Sequence, residues 1–174
     1  AHIVLIGSAA DGVTTAEVRG MVPDDARAAV SDVAGRTSLE VLAAVLGLAR
    51  ACVSNDSGAM HMAAAVGVPL TALFGPTNEH ETAPLAHAPM ELLIHEVSCR
   101  PCMLRECPID HPCMRDLDPA RVLASVRRML TSGERATFGL LSPGDRRIER
   151  GDRFTVAFGI WGALNCRAGF VVED

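Results

Sequence analysis

Short apolar runs alternate with helix-forming stretches from the first residues to about residue 130, and this alternation limits the possible folds more than any single motif does. Residues 3–6, Ile-Val-Leu-Ile, form a continuous apolar run stopped by Gly7, the pattern of a strand covered on both faces of a parallel sheet. Residues 29–33, 51–54, 70–74 and 90–95 predict further strands. Helical stretches fall at 15–20, from Leu39 onward, at 59–66 and at 120–130. Thr37-Ser38-Leu39-Glu40 reads as a capping box, in which the Thr37 hydroxyl and the Glu40 carboxylate each satisfy a backbone N–H at a helix start. Leu39, Leu42, Ala43, Leu46 and Ala49 then recur at helical spacing and predict one buried face. Gly67 and Pro69 punctuate a helix end and a strand start, and Asp118-Pro119 supplies an N-cap and a first-turn proline. The sum is an α/β fold, a Rossmann-like parallel sheet covered by helices.

A chain of 174 residues buries roughly 70% of its unfolded surface, so it needs neither disulfides nor a metal in order to fold. The balance of 16 Lys and Arg against 21 Asp and Glu, a net charge of -5, offers no basic stripe for a phosphodiester backbone, and nucleic acid is not expected as a partner. Apolar stretches are interrupted well short of the roughly 20 residues that a bilayer crossing needs, and nothing at the start resembles a signal peptide. A cytoplasmic setting is the expectation. The chain enters its first strand at once, without an initiator Met, as a piece cut from a longer chain would. Residues 1–132 are expected to form the sheet domain. Residues 133–174 carry most of the aromatic side chains and are expected to be a β-rich tail, with strands at 153–160 and 163–172 joined as a hairpin near Trp161-Gly162.

In an open α/β sheet, ligands bind beyond the carboxyl ends of the strands, which puts the loops at Gly7, Asn55 and Gly75 on one rim. The middle loop, Asn55-Asp56-Ser57-Gly58, is the best equipped, because it opens a helix whose first N–H groups and positive dipole end face an anion. A charge at an exposed helix end gains only about 0.3–1 kcal/mol, whereas a micromolar ligand needs about 8 kcal/mol. Several amides, the Ser57 hydroxyl and the neighbouring loops therefore have to act together. At Gly58 the missing Cβ would let a diphosphate approach the backbone closely. The alternative is purely local, with Asp56 or Ser57 as an N-cap, Gly58 as a turn residue and His61 as a hydrogen-bonded structural histidine.

The run Ser54-Asn55-Asp56-Ser57-Gly58-Ala59-Met60-His61-Met62-Ala63-Ala64-Ala65-Val66-Gly67-Val68-Pro69, followed by Ala72-Leu73-Phe74-Gly75-Pro76-Thr77, resembles the signature of glycosyltransferase family 9, the family of the lipopolysaccharide heptosyltransferases. Ala34-Gly35-Arg36-Thr37-Ser38-Leu39 upstream, and Cys99-Arg100-Pro101-Cys102, Cys107-Pro108, His111 and Cys113-Met114 downstream, fit the same family in the same order. The resemblance implies half of a two-domain, GT-B-type glycosyltransferase. In such an enzyme the C-terminal half holds ADP-heptose and the N-terminal half meets a lipid-linked saccharide acceptor of the lipopolysaccharide core. It further implies that Asp56 contacts the donor sugar or its phosphate surroundings, that Ser57 and Gly58 meet the diphosphate, that Thr37, Ser38 and Leu39 lie near the nucleoside, and that His61 supports the loop. Transfer in the family inverts the anomeric centre by direct displacement, with a general base and cationic stabilisation of the leaving diphosphate. The base and a phosphate-binding lysine belong to segments expected outside this chain. The catalytic residue therefore stays unassigned, the isolated chain is expected to be inactive, no cofactor is implied, and the parent enzyme would touch a membrane only peripherally.

Cys99, Cys102, Cys107 and Cys113 form C-x2-C-x4-C-x5-C, a grouping able to close a tetrahedral zinc site. It lacks a second compact C-x2-C knuckle and matches no common iron–sulfur spacing. Packed thiols in an irregular loop are the preferred reading, and a non-catalytic, zinc-stabilised α/β binding module is the alternative to a transferase. Cys52, in an apolar strand, reads as core, and stable disulfides are not expected of a cytoplasmic chain. In the tail, Arg150-Gly151-Asp152-Arg153-Phe154-Thr155-Val156 and the run to Phe170 weakly resemble part of a pita-bread-fold metallopeptidase, without that family's metal-binding aspartates. Arg146, Arg147, Arg150 and Arg153, interleaved with acids, read as a solvated face.

Overall fold

The computed structural model describes residues 2–132 and, as backbone, residues 156–159. Its strands are β1 (Ile3–Ile6), β2 (Val30–Asp32), β3 (Ala51–Asn55), β4 (Leu70–Phe74), β5 (Met90–Ile94) and β6 (Val156–Gly159), and its helices are α1 (Gly12–Met21), α2 (Leu39–Leu48), α3 (Gly58–Ala65), α4 (Glu79–Thr82), α5 (Pro112–Arg115) and α6 (Pro119–Thr131). The strands form one sheet in the order β2-β1-β6-β3-β4-β5, and every pairing in it is parallel. Parallel neighbours need a crossover rather than a tight turn, which is why helices separate the strands from β1 to β4.

The strands are apolar on both faces because both faces are covered. On one side Val4, Ile6, Cys52, Leu70, Ala72 and Phe74 pack with Leu46 and Ala49 from α2 and its end, and with Met60, Ala63 and Ala64 of α3. On the other side Val53 and Leu93 meet Leu117 and, from α6, Val122 and Val126. Each fully buried side chain of this kind contributes about 1.5–3 kcal/mol. Between β4 and α6 the hydroxyls of Thr71 and Ser125, both fully buried, lie 2.8 Å apart and satisfy one another, so the polar pair avoids the loss that unpartnered hydroxyls would suffer there.

Several local expectations need correction. Ser38, not Thr37, caps α2: its backbone is extended, and its hydroxyl accepts from the Val41 amide at 3.3 Å. The cap belongs to the last extended residue before the helix, which lies one position later than the Thr-x-x-Glu pattern suggested. The buried face of α2 also begins late, since Leu39 is 70% exposed and burial is complete only at Leu46 and Ala49. α1 starts at Gly12, behind a short turn closed by Ser8 and Asp11, rather than at residue 15. The caps at Gly67, with φ +73, and at Asp118, which accepts from the Ala120 amide at 2.9 Å, are as expected.

The described part of the tail does not form the expected hairpin. Residues 156–159 are paired in parallel on both edges, with β1 and with β3, leaving no edge for an antiparallel partner. The second strand of that hairpin, the arginine series and Cys166 lie outside the described residues. Among the described residues, no helix is long and apolar enough to cross a membrane.

Candidate functional site

Loops leaving β1, β2, β3 and β4 gather on the rim formed by the carboxyl ends of the strands. The Gly7 carbonyl accepts from the Gly35 amide at 2.9 Å, which ties the β1 exit to the β2 exit. Gly35 has φ +68, and a Cβ there would lie 2.7 Å from the Ala9 Cα, so only glycine fits. The β1 exit is itself held by the buried Asp11 carboxylate, which accepts from the Ser8 amide at 2.7 Å and from the Ser8 hydroxyl at 2.6 Å. Thr37, Ser38 and Leu39 follow Gly35 closely and open α2. Because α2 packs beside α3 and each follows a strand end, two helix starts converge on this rim.

The β3 exit carries the residues singled out from the motif. Ser57, with extended backbone, is the N-cap of α3. Its hydroxyl receives the Met60 amide at 3.5 Å and stands 3.0 Å from the Ser54 hydroxyl, which donates to the Asn55 carbonyl at 2.9 Å. A 3.5 Å contact lies at the outer limit of a hydrogen bond, so the capping role uses little of what this hydroxyl can do. The Asp56 carboxylate accepts from the Thr82 hydroxyl at 2.7 Å, which fixes it from the end of α4. Gly58 is exposed, and a Cβ added there would meet no protein atom within 4 Å. Gly75 is the contrasting case: its Cβ would fall 2.5 Å from Met114 Cγ and Sδ. Packing explains the glycine at 75 and does not explain the one at 58.

The β4 exit, Gly75-Pro76-Thr77, is clamped from the cysteine-bearing segment. Arg100, with its side chain only 4% exposed, donates to the carbonyls of Gly75 and Thr77 and pairs with the Glu79 carboxylate at 2.9 Å. Backbone hydrogen bonding, and after it the Arg100 charge, hold the Glu79 carboxyl below the ordinary carboxylate range despite its partial desolvation. The Met103 amide donates to the Pro76 carbonyl at 2.9 Å. On the same loop the Thr77 hydroxyl is buried with no hydrogen-bond partner, leaving a donor and acceptor unused at the rim.

Thus Asp56, Ser57 and Gly58 share one loop, and Thr37, Ser38 and Leu39 open a neighbouring helix on the same rim. His61 is exposed in the first turns of α3, and side-chain hydrogen bonds from Ser54 and Thr82 hold the loop. Sequence reasoning missed Thr82 and Arg100. Thr82 sits in a helix too short to show a period, and Arg100 acts on carbonyls 25 and 23 residues earlier, for which no local signal exists. Arg36, exposed and in no ion pair among the described residues, is a further cation beside the Gly35 turn.

The zinc alternative names Cys99, Cys102, Cys107 and Cys113; among the described residues no three His, Cys, Asp or Glu side chains are grouped to hold a metal. Cys99 is exposed, Cys102 and Cys107 are half-buried, and Cys113 is buried beneath Gly75 together with Met114. Burial, and then the neighbouring Cys102, push the Cys113 thiol up. Cys52 is core, its thiol raised by burial to about 12.

The description glycosyltransferase family 9 (heptosyltransferase) matches residues 1–112. Lipooligosaccharide heptosyltransferase 2 of Campylobacter jejuni is 32% identical over 102 residues, which are 58% of this chain and 32% of that protein. The protein of the same description from Haemophilus influenzae is 42% identical over 84 residues, 48% of this chain and 24% of that protein. The fold is similar to the solved structure of E. coli ADP-heptose lps heptosyltransferase II, with a TM-score of 0.65 and 30% identity over 75% of this chain and 37% of that one. A glycosyl transferase family 9 structure from Veillonella parvula shares the fold at a TM-score of 0.61 and 23% identity. This chain spans about a quarter to a third of the length of these curated relatives.

Proposed function

Because this chain belongs to glycosyltransferase family 9, the heptosyltransferase family, we propose that residues 1–132 carry the donor site of a two-domain sugar transferase and that the rim takes ADP-heptose or a closely related ADP-sugar. The diphosphate lies over the start of α3, where the amides of Gly58 and Ala59 have no acceptor within the helix, and the Ser57 hydroxyl joins them. Asp56, steadied by Thr82, faces the donor sugar or its phosphates. Thr37, Ser38 and the exposed Leu39 border the nucleoside, and Arg36 supplies positive charge. The observation that carries this reading is Gly58, a glycine at a helix start that nothing within the protein requires.

Charge-assisted bonds contribute about 1.5–3 kcal/mol each. Three of them, with apolar contact at Leu39, reach the roughly 8 kcal/mol of a micromolar ligand. In the transfer, an acceptor hydroxyl attacks the anomeric carbon, the bond from that carbon to the diphosphate oxygen breaks, and ADP leaves with the electron pair. The acceptor proton passes to a base that this reading places in the acceptor-binding half, so no catalytic residue is assigned among the described residues. The helix start and Arg36 stabilise charge on the departing diphosphate. The acceptor is a lipid-linked saccharide of the lipopolysaccharide core, reached from the cytoplasmic face with at most peripheral membrane contact.

Calorimetric titration with ADP, paired with hydrogen exchange, tests the reading. The amides of Ser57 to His61 are expected to slow when ADP is bound. Exchange that is the same with and without ADP in this loop removes the basis for a donor site here.

A further inference from the structure

The stretch from Cys99 to Cys113 has no regular element before α5, so its shape depends on individual tethers. Two of them bracket Cys102. On one side the Arg100 guanidinium donates to the Gly75 carbonyl, and on the other the Met103 amide donates to the Pro76 carbonyl at 2.9 Å. Cys102 is thereby held against the β4 exit. Cys113 arrives at the same place from α5, with its Sγ 3.7 Å from the position that a Gly75 Cβ would take. Both cysteines bear on Gly75 and Pro76. Of the other thiols in the stretch, Cys102 acts most strongly on Cys113, ahead of Cys107 and Cys99, the order that the nearest neighbour should head.

The two thiols differ in what they can do. Cys102 is half-buried and reaches solvent, whereas Cys113 is buried. Burial pushes the Cys113 thiol up, with the Arg100 guanidinium opposing that rise, so Cys113 stays protonated and the accessible Cys102 is the thiol placed to attack. An accessible nucleophile beside a sheltered partner is the arrangement that thiol–disulfide exchange requires.

We infer that Cys102 and Cys113 form an exchange site for small-molecule disulfides such as glutathione disulfide, and that the resulting bond between them ties the segment 102–113 shut beneath the β4 exit loop. Cys102, as thiolate, attacks one sulfur of the small disulfide; that S–S bond breaks, and one small thiolate leaves and takes up a proton from solvent. Cys113 then loses its proton to solvent and attacks the Cys102 sulfur, and the second small thiol is released. Two electrons pass from the protein to the small disulfide, which ends as two thiols. Both cysteines are free in the structure, which is the reduced state, and a reversible bond of this kind is compatible with a reducing compartment. The inference stands apart from the donor reading, since its test uses no nucleotide and either can fail without the other.

The folded 174-residue chain is incubated with glutathione disulfide without denaturant, its remaining thiols are alkylated, and the digest is mapped by tandem mass spectrometry. The predominant link is expected between residues 102 and 113, with Cys52, fully buried in β3, left unreacted. Closing a loop of about a dozen residues should raise the melting midpoint of the oxidised chain by roughly 5–10 °C over the chain reduced with dithiothreitol. Cys102→Ser is expected to show neither the link nor the rise. Should that variant fold poorly, the map and the melting shift of the unaltered chain decide. Glutathione adducts without a 102–113 link, a predominant link between any other pair, an oxidised chain that melts no higher than the reduced one, or an equal rise in folded Cys102→Ser each overturns the inference.

Discussion

Replacing Gly58 by Ala separates the two explanations of the β3 exit loop, because they require opposite signs. A Cβ at 58 meets no protein atom within 4 Å, and the residue is the first of α3. The methyl group is therefore tolerated in the folded chain while it restricts the unfolded one, a combination that adds about 0.4–1 kcal/mol of stability. For a chain of this size 1 kcal/mol moves the melting midpoint by roughly 2–4 °C, so Gly58→Ala should melt where the wild type does or up to about 4 °C higher. On the proposed reading the same methyl stands where a diphosphate has to reach the amide. Losing one charge-assisted bond of about 1.5–3 kcal/mol weakens ADP binding roughly 10- to 150-fold. Scanning calorimetry and isothermal titration on one preparation read both quantities. A variant that melts lower and binds ADP as the wild type does would refute the reasoning and return Gly58 to the role of a turn residue.

Thr82→Val removes the donor that steadies the Asp56 carboxylate; ADP affinity is expected to fall roughly three- to tenfold, about 0.7–1.4 kcal/mol, and unchanged titration curves would detach Asp56 from the ligand. Arg100→Met strips the buried clamp from the β4 exit and from Glu79, with an expected loss of about 3–5 kcal/mol in urea unfolding; a loss below about 1 kcal/mol means that the loop holds itself. Since the Glu79 carboxyl is held below its ordinary range in the folded chain, its contribution to stability is complete above that range and disappears as pH falls through the lowered folded value. Wild type should therefore lose more stability than Arg100→Met between about pH 6 and pH 3, and parallel melting profiles contradict this. Ser125→Ala leaves the Thr71 hydroxyl unsatisfied in a buried layer, at a cost of about 1–3 kcal/mol. Adding Thr71→Val should recover part of that loss, and two effects that merely add would show that the hydroxyls are not coupled.

How much could be read in advance depended on the range of the interaction. The strands from β1 to β5 were legible to within a residue or two, because a run such as Leu70-Thr71-Ala72-Leu73-Phe74 has to be buried on both faces wherever it lies in the sheet. The caps at Gly67 and Asp118 were legible for the same reason, since a helix end makes its demands within a few residues. The choice between Thr37 and Ser38 was not, because either hydroxyl can cap and the decision rests on which residue keeps extended backbone. Side chains acting over distance were invisible. Arg100 looked like part of a cysteine motif, yet it serves carbonyls at 75 and 77, and Thr82 reaches Asp56 across 26 residues. Most remote of all was β6. Its local pattern suggested a strand, but two parallel edges facing each other across a gap are a property of the assembled sheet, and no stretch of sequence displays them.

On the reading proposed above, the rim would hold a diphosphate through peptide N–H groups at the start of α3 and one guanidinium, in a chain that is otherwise net acidic. Neither kind of donor releases a proton in ordinary buffers, so the protein's grip on a phosphate should be as firm in mildly alkaline water as in mildly acid water, unlike a grip made by imidazole. A cradle of this kind is written in the path of the main chain. On that reading the cradle lasts as long as the path does and position 58 stays bare.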